Sequence, residues 1–346
     1  MAGSGLSRRS ALSCGGTEIE KMFQRLAAAR DPLGRDLQAN YQRNFAALGI
    51  VFRFETNTPI ILEACDAVFH SSGQSRTEKP DFVICLLEDP TFGEKPPWPK
   101  PVYRGRQNLF YLSIGSENTA VADLEHRLAV GFLSPAMVED STILRRDFVE
   151  CLAFTMATHG RGATHSYIHA SAIAKGNKGL VLSGPACAGK STLAYACAQR
   201  GFHIVADDVV YLKDGESHLT AWGNPWRLRL APESIKLFPE LSQRFKRTGS
   251  MEVVEIELEE ILPGCAQPCC EPVALFFLNR SSGPTACQRL DSHEAVELIS
   301  RDLISDSPEV IEMHCRAWAK LASKGSYILR YGQDLDSVIG KLEQFL

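Results

Sequence analysis

The sequence predicts an α/β fold, and three observations carry that prediction. The first is Gly184-Pro185-Ala186-Cys187-Ala188-Gly189-Lys190-Ser191-Thr192, which fits the pattern G-x-x-x-x-G-K-[ST]. The second is its setting. The short, branched run over 179–183 reads as a buried strand, and the Ala-rich, proline-free stretch over 190–200 reads as a helix. The third is the stretch 201–212, a turn followed by a buried strand that ends in Asp207 and Asp208 and by a second apolar run. Strand, loop, helix and strand in that order open a nucleotide-binding sheet.

Glycines let such a loop turn inward, so that successive backbone N–H groups face phosphate oxygens, and the following helix adds the positive end of its dipole. Gly184, Ala186, Cys187, Ala188, Gly189 and Thr192 belong to that cradle. Lys190 is expected to reach the β- and γ-phosphates, and the Ser191 hydroxyl to ligate Mg²⁺. The carboxyl ends of strands in an open α/β sheet face the ligand crevice. Asp207 and Asp208 are therefore expected beside the phosphates. One carboxylate can hold the metal, and the other can accept a proton from an attacking hydroxyl.

Ahead of this sheet the chain reads as a smaller α+β domain over 17–150. Residues through Gly16 are small and polar, an expected disordered start. Ile19, Met22, Phe23, Leu26 and Ala27 share one face of an expected helix over 17–30, and 48–55 alternates as a strand does. Strands follow at 81–87 and 108–114, separated by a proline-rich loop over 90–101, while 120–130 fits helix or strand. A helix over 144–158 leads into the nucleotide-binding part, 151–346. There, strands are expected near 167–174, 179–183, 203–207, 209–213, 272–279 and 327–331. Helices are expected near 190–200, 292–304, 308–323 and 334–345.

The segment 169–212 resembles the catalytic core of HPr kinase/phosphorylase and the wider HPr-kinase-like ATPases, which include peptide-tailoring kinases. Four parts occur in the same order: Ile168-His169-Ala170 on a strand, the phosphate loop, an alanine-rich helix ending in Gln199-Arg200-Gly201-Phe202, and Val205-Ala206-Asp207-Asp208. The resemblance implies a sheet of the HPr-kinase type, with Asp207 at the metal, Asp208 abstracting the proton and His169 near the transferred phosphate. Weaker likeness continues through 227–241 and the apolar strand 273–278. The loop departs from the family's Gly-x-Ser-Gly-x-Gly-Lys-Ser, since Cys187 replaces a glycine, and the family's Gly-Leu-Gly substrate-side signature is absent. HPr as substrate and the reverse phosphorolysis are thereby not implied.

Other residues carry weaker signals. His165 would share a face with His169 on one continuous strand and so rivals it. Arg227 and Arg229 alternate with Leu228 and Leu230, which places both guanidinium groups on one strand face. Such a pair suits a phosphorylated substrate or the charge on a transferring phosphoryl group, and equally a solvated strand face. Trp222 and Trp226 fit packing better than a pocket. Cys265, Cys269 and Cys270 cluster without a paired C-x-x-C spacing.

With 346 residues, 45% of them hydrophobic, 23% charged and a net charge of −4, the chain shows no basic stripe for nucleic acid and no membrane-spanning run. Eleven scattered cysteines, an odd number, suggest reduced thiols and a cytoplasmic protein. The expected function is an ATP-dependent kinase, with ATP and Mg²⁺, acting on a serine hydroxyl of a protein or peptide. A small-molecule kinase of the shikimate or gluconate type is an alternative, although those lack a region matching 17–150. A nucleotide-dependent switch ATPase is another. Assembly with copies of itself stays open. The loop yields the first test: Lys190→Ala should remove most Mg-ATP affinity in a calorimetric titration while circular dichroism stays unchanged, and a folded variant that binds ATP normally would refute the assignment.

Overall fold

The computed structural model describes residues 37–70, 79–215, 218–244, 254–301, 303 and 307–346. The expected disordered start and the helix over 17–30 lie outside the described residues. The architecture is mixed α/β, with two large sheets.

The first sheet begins with a hairpin, β1 (Tyr41–Ala47) and β2 (Ile50–Thr56). Both turn residues, Leu48 and Gly49, have positive φ (56° and 68°), the backbone a two-residue hairpin favours. Helix α1 (Pro59–Phe69) crosses over to β3 (Phe82–Glu88), which lies parallel to β2. Pro59 suits the first helical turn, whose N–H groups lack intrahelical partners. Then come β4 (Val102–Arg106), β5 (Leu109–Ile114), β6 (Asn118–Asp123) and β7 (Leu128–Leu133), giving the order β1-β2-β3-β7-β6-β5-β4. The ambiguous stretch 120–130 thus resolves into two strands. Its apolar residues alternate inward and outward, and Arg127 turns the chain at φ 61°.

Phe45, Phe52, Phe54, Phe69, Phe82 and Phe154 pack ring against ring under this sheet, with centroids 5.4–6.4 Å apart. Each such pair adds about 0.5–1.5 kcal/mol beyond its area. Phe154 comes from the connecting helix, which runs from Ser141–Ile143 through a π-helical stretch, Leu144–Cys151, to Leu152–Thr158. Asp147, buried in that stretch, is held by Arg146 (Nη2–Oδ2 2.8 Å) and by the Tyr103 hydroxyl.

The second sheet is built on β8 (Ser166–Lys175), β9 (Lys178–Ser183), β10 (His203–Ala206), β11 (Val209–Asp214), β12 (Leu219–Trp222), β15 (Cys269–Arg280), β16 (Ala286–Leu290) and β17 (Ser326–Tyr331). Strand β9 lies antiparallel to β8 and parallel to β15, which also pairs in parallel with β17. The pairings β8–β9–β15–β12–β11–β8 return to their start, so five strands close on themselves. Helices α2 (Lys190–Ala198) and α5 (Leu335–Glu343) cover one face, over Leu180, Leu182 and Phe276. Helices α3 (Ser292–Ser300) and α4 (Pro308–Lys324) cover the other, over Val181 and Leu275. Strands buried on both faces read as unbroken apolar runs, which is why 179–183 shows no alternation. A small ribbon, β13 (Arg227–Leu230) with β14 (Val254–Glu257), flanks the sheet.

The two sheets touch through specific side chains. Tyr211 of β11 joins the first core, and Trp222 packs against it. A Cβ at Gly49 would lie 2.7 Å from the Trp222 ring, so only glycine lets the hairpin turn rest there. Boundaries shift from expectation by a few residues: the helix expected over 190–200 ends at Ala198, the one over 292–304 at Ser300, and the strand expected from 272 begins at Cys269. Among the described residues no helix is long and apolar enough to cross a membrane. Trp318 of α4 is fully buried and donates its indole N–H to the Tyr167 carbonyl (3.0 Å). Trp318→Ala should therefore lower stability by about 3–5 kcal/mol in denaturant unfolding, with Trp318→Phe, which keeps most of the volume, costing much less.

Candidate functional site

The glycine-rich loop 184–189 leaves β9 and enters α2 through three residues with positive φ: Gly184 (151°), Cys187 (62°) and Gly189 (92°). At Gly189 a Cβ would meet the Tyr331 hydroxyl at 2.6 Å. That hydroxyl donates to the Ala188 carbonyl (2.6 Å), pinning the loop to strand β17, on the far side of β15. Cys187 occupies a left-handed conformation that suits glycine, so the departure noted in the sequence costs backbone strain. The Lys190 ammonium donates to the carbonyls of Gly184 (2.8 Å) and Pro185 (3.2 Å), folding back over the loop's own turn.

Strands β10 and β11 lie in succession along one edge of β8, and Asp207-Asp208 bridges them. Asp208 takes φ 70°, which sends successive side chains in different directions. Asp207 turns inward. It accepts from Ser171 Oγ (2.8 Å) on β8, from the Arg229 backbone N–H (3.0 Å) on β13, and from the Ser191 side chain at the start of α2. Burial raises its carboxyl above the ordinary carboxylate range despite these donors. Asp208 turns outward, where its Oδ1 lies 3.2 Å from His169 Nδ1. That hydrogen bond lowers the Asp208 pKa and raises that of His169.

The structure therefore brings Lys190, Ser191, Asp207, Asp208 and His169 to one end of the sheet. His165 is not among them. It lies just before β8, buried, with Nδ1 2.8 Å from Thr164 Oγ1, and burial with the nearby Lys213 pushes its pKa down to about 4. It is a neutral core histidine.

Arg227 and Arg229 do share a face, and both reach Glu255, at 3.4 and 3.5 Å. Arg227 is nearly buried and pairs at 2.6 Å with Glu150 of the connecting helix, whereas Arg229 is part-exposed and lies 3.7 Å from Asp208. Trp226 stacks on His70, with ring centroids 4.7 Å apart. Cys265, Cys269 and Cys270 belong to no group of three or more potential metal ligands among the described residues. The donor set at Ser191 and Asp207 suits Mg²⁺, which takes one or two protein oxygens and fills its shell with phosphate and water. The exposed loop at the start of α2, with Lys190 folded over its turn, suits a triphosphate.

Sequence reasoning missed Ser171, Glu150, Glu255 and Tyr331. Ser171 was findable, since it lies two residues after His169 and so on the same strand face. Glu150 and Glu255 carry no local signal, because they become partners of Arg227 only through the fold.

No protein-family model matches the chain, and no curated protein matches it. Among solved structures, the Hpr(Ser) kinase/phosphatase from Coxiella burnetii is similar at a TM-score of 0.31 and 13% identity, over 52% of this chain and 87% of that chain.

The His169–Asp208 pair has a pH signature. A histidine whose pKa is raised on folding gives stability that is fully present below the ordinary 6.5 and lost as pH rises through the raised value. An NMR titration of the His169 ring should show a midpoint above 6.5 that falls in Asp208→Asn. Identical midpoints in the two proteins would mean that the pair does not form in solution.

Proposed function

We propose that this chain is an ATP-dependent kinase that transfers the γ-phosphoryl group to a hydroxyl, with a serine of a protein or peptide as acceptor. The observation that carries the reading is the division of labour between adjacent carboxylates. Asp207 is turned inward onto Ser191, and Asp208 outward onto His169, at the mouth of a phosphate loop.

In this reading the loop amides and Lys190 hold the triphosphate, and Ser191 with Asp207 holds Mg²⁺. Bound magnesium would offset phosphate charge and leave the γ-phosphorus more electrophilic. Asp208, kept ionised by His169, accepts the proton of the acceptor hydroxyl as its oxygen bonds to phosphorus. The bond to the bridging oxygen breaks, and the charge left on ADP falls to Lys190 and the loop amides. His169, whose hydrogen bond to Asp208 favours its protonated form, supplies positive charge beside the transferred group. Arg229, within reach of Asp208, orients that carboxylate. Residues 151–346 form the catalytic part and 17–150 an accessory α+β domain in a cytoplasmic protein.

Asp208→Asn keeps shape but removes the proton acceptor, so label transfer from γ-phosphate to an acceptor should fall by about 10²–10⁴-fold with Mg-ATP binding little changed. Asp207→Asn should instead raise the Mg²⁺ concentration needed for activity. Full transfer by Asp208→Asn would turn the assignment toward a switch ATPase.

A further inference from the structure

A cleft of about 760 Å³ opens on the outward side of Asp208 and His169, away from Asp207. Its floor is one face of the second sheet, where the cross-strand pairs Tyr167–Tyr211 and His169–Val209 lie side by side. Its wall is the connecting helix, which packs into the first core and presents Cys151, Thr155 and His159 at a spacing of four residues, with Phe154 beneath. The cleft thus lies between the second sheet and the helix that leads into it, and it ends at the proposed catalytic carboxylate.

The lining is mostly apolar and aromatic. Among the charged groups that line it, Arg146 pairs with Asp147, Arg229 with Asp208 and Glu255, and Glu150 with Arg227 and Asn224, while the exposed Arg301 also borders the cleft. An acceptor carrying several charges would have to break those pairs to engage Arg146, Arg229 or Glu150. The polar end of the floor is His169 with Asp208, where a hydroxyl is needed. From Arg146 to His159 the wall is at most roughly 20 Å long at the α-helical rise of about 1.5 Å per residue, and shorter where it is π-helical, which suits an extended segment of about five or six residues at 3.3 Å each. A compact sugar-like alcohol would fill only a fraction of that length.

We infer that this cleft is the acceptor site, and that it takes an extended polypeptide segment whose serine or threonine is flanked by apolar or aromatic side chains. The inference rests on the kinase reading above for the identity of the reacting end. It gives the connecting helix a role in gripping the substrate, with the first core as the support it packs on.

The test uses the full chain with Mg-ATP and octapeptides that carry one central serine between apolar, acidic or basic flanks. Label transfer is measured, and so is binding of fluorescent peptides in the presence of a non-hydrolysable ATP analogue. Apolar-flanked peptides should show a KM lower by about ten-fold or more than charged ones, the scale on which apolar subsites discriminate. Thr155→Trp, which fills the middle of the wall, should raise that KM by about ten-fold with a smaller effect on kcat and none on the Kd for Mg-ATP. Fluorescent-peptide competition on the unaltered protein reads the same preference without relying on the variant's folding. Preference for acidic or basic flanks, labelling of small alcohols alone, or an unmoved KM in Thr155→Trp overturns the cleft assignment and leaves the kinase reading standing. Tight binding of apolar peptides that never take label upholds the cleft as a peptide site and overturns the kinase reading instead.

Discussion

Strand β8 runs unbroken for ten residues while its partner along one edge breaks in two, and the site depends on that break. Had β10 and β11 been one continuous strand, Asp207 and Asp208 would have alternated across the sheet, with one of them directed into a core. The break allows Asp208 its left-handed backbone, so that one carboxylate serves the loop and the next serves the cleft. The Asp208 carbonyl still accepts from the Ala170 amide (3.1 Å), so the sheet loses little hydrogen bonding there.

Asp207 in turn joins three elements. Its donors come from β8, from the start of α2 and from the backbone of β13, so a single side chain fixes the relation of the central strand, the phosphate loop and the flanking ribbon. A buried carboxylate with its acceptor capacity filled is costly to disturb, because removing one donor leaves the charge in a poorly solvating place. The ribbon carries Arg227, whose ion pair with Glu150 extends the chain of contacts to the connecting helix, which packs into the first core. The Trp222–Gly49 contact and Tyr211, which lies in the first core, fasten the same boundary elsewhere.

Much of the second sheet and its candidate site was legible in the sequence, because the determinants are local. The loop pattern, the apolar run of β9 and the Asp-Asp step each follow from residues next to one another. Long helices such as α4 were legible from their periodicity. Short or exposed strands were less so. Neither β4, all of whose residues are exposed, nor β16, which is exposed along most of its length, presents an inward apolar face, and β1 is apolar only near its hairpin end. The split of 120–130 into two strands depends on pairing with β5 and β3, which no local pattern encodes. The ion pairs Arg227–Glu150 and Arg227–Glu255 were illegible for the same reason, being separated by 77 and 28 residues.

The fold of Lys190 over its own loop also bears on kinetics. Its ammonium is engaged with two carbonyls, so an arriving phosphate would exchange places with them instead of filling an idle position. Such an exchange conserves hydrogen bonds, and its net driving force is the gain from neutral carbonyl to anionic oxygen. The turn is meanwhile kept in its cradle shape by an internal stand-in, and it gives up that stand-in only to a ligand carrying more negative charge. On the kinase reading, triphosphates would thereby be favoured over uncharged compounds of similar size, with the lysine a selective latch before any chemistry begins.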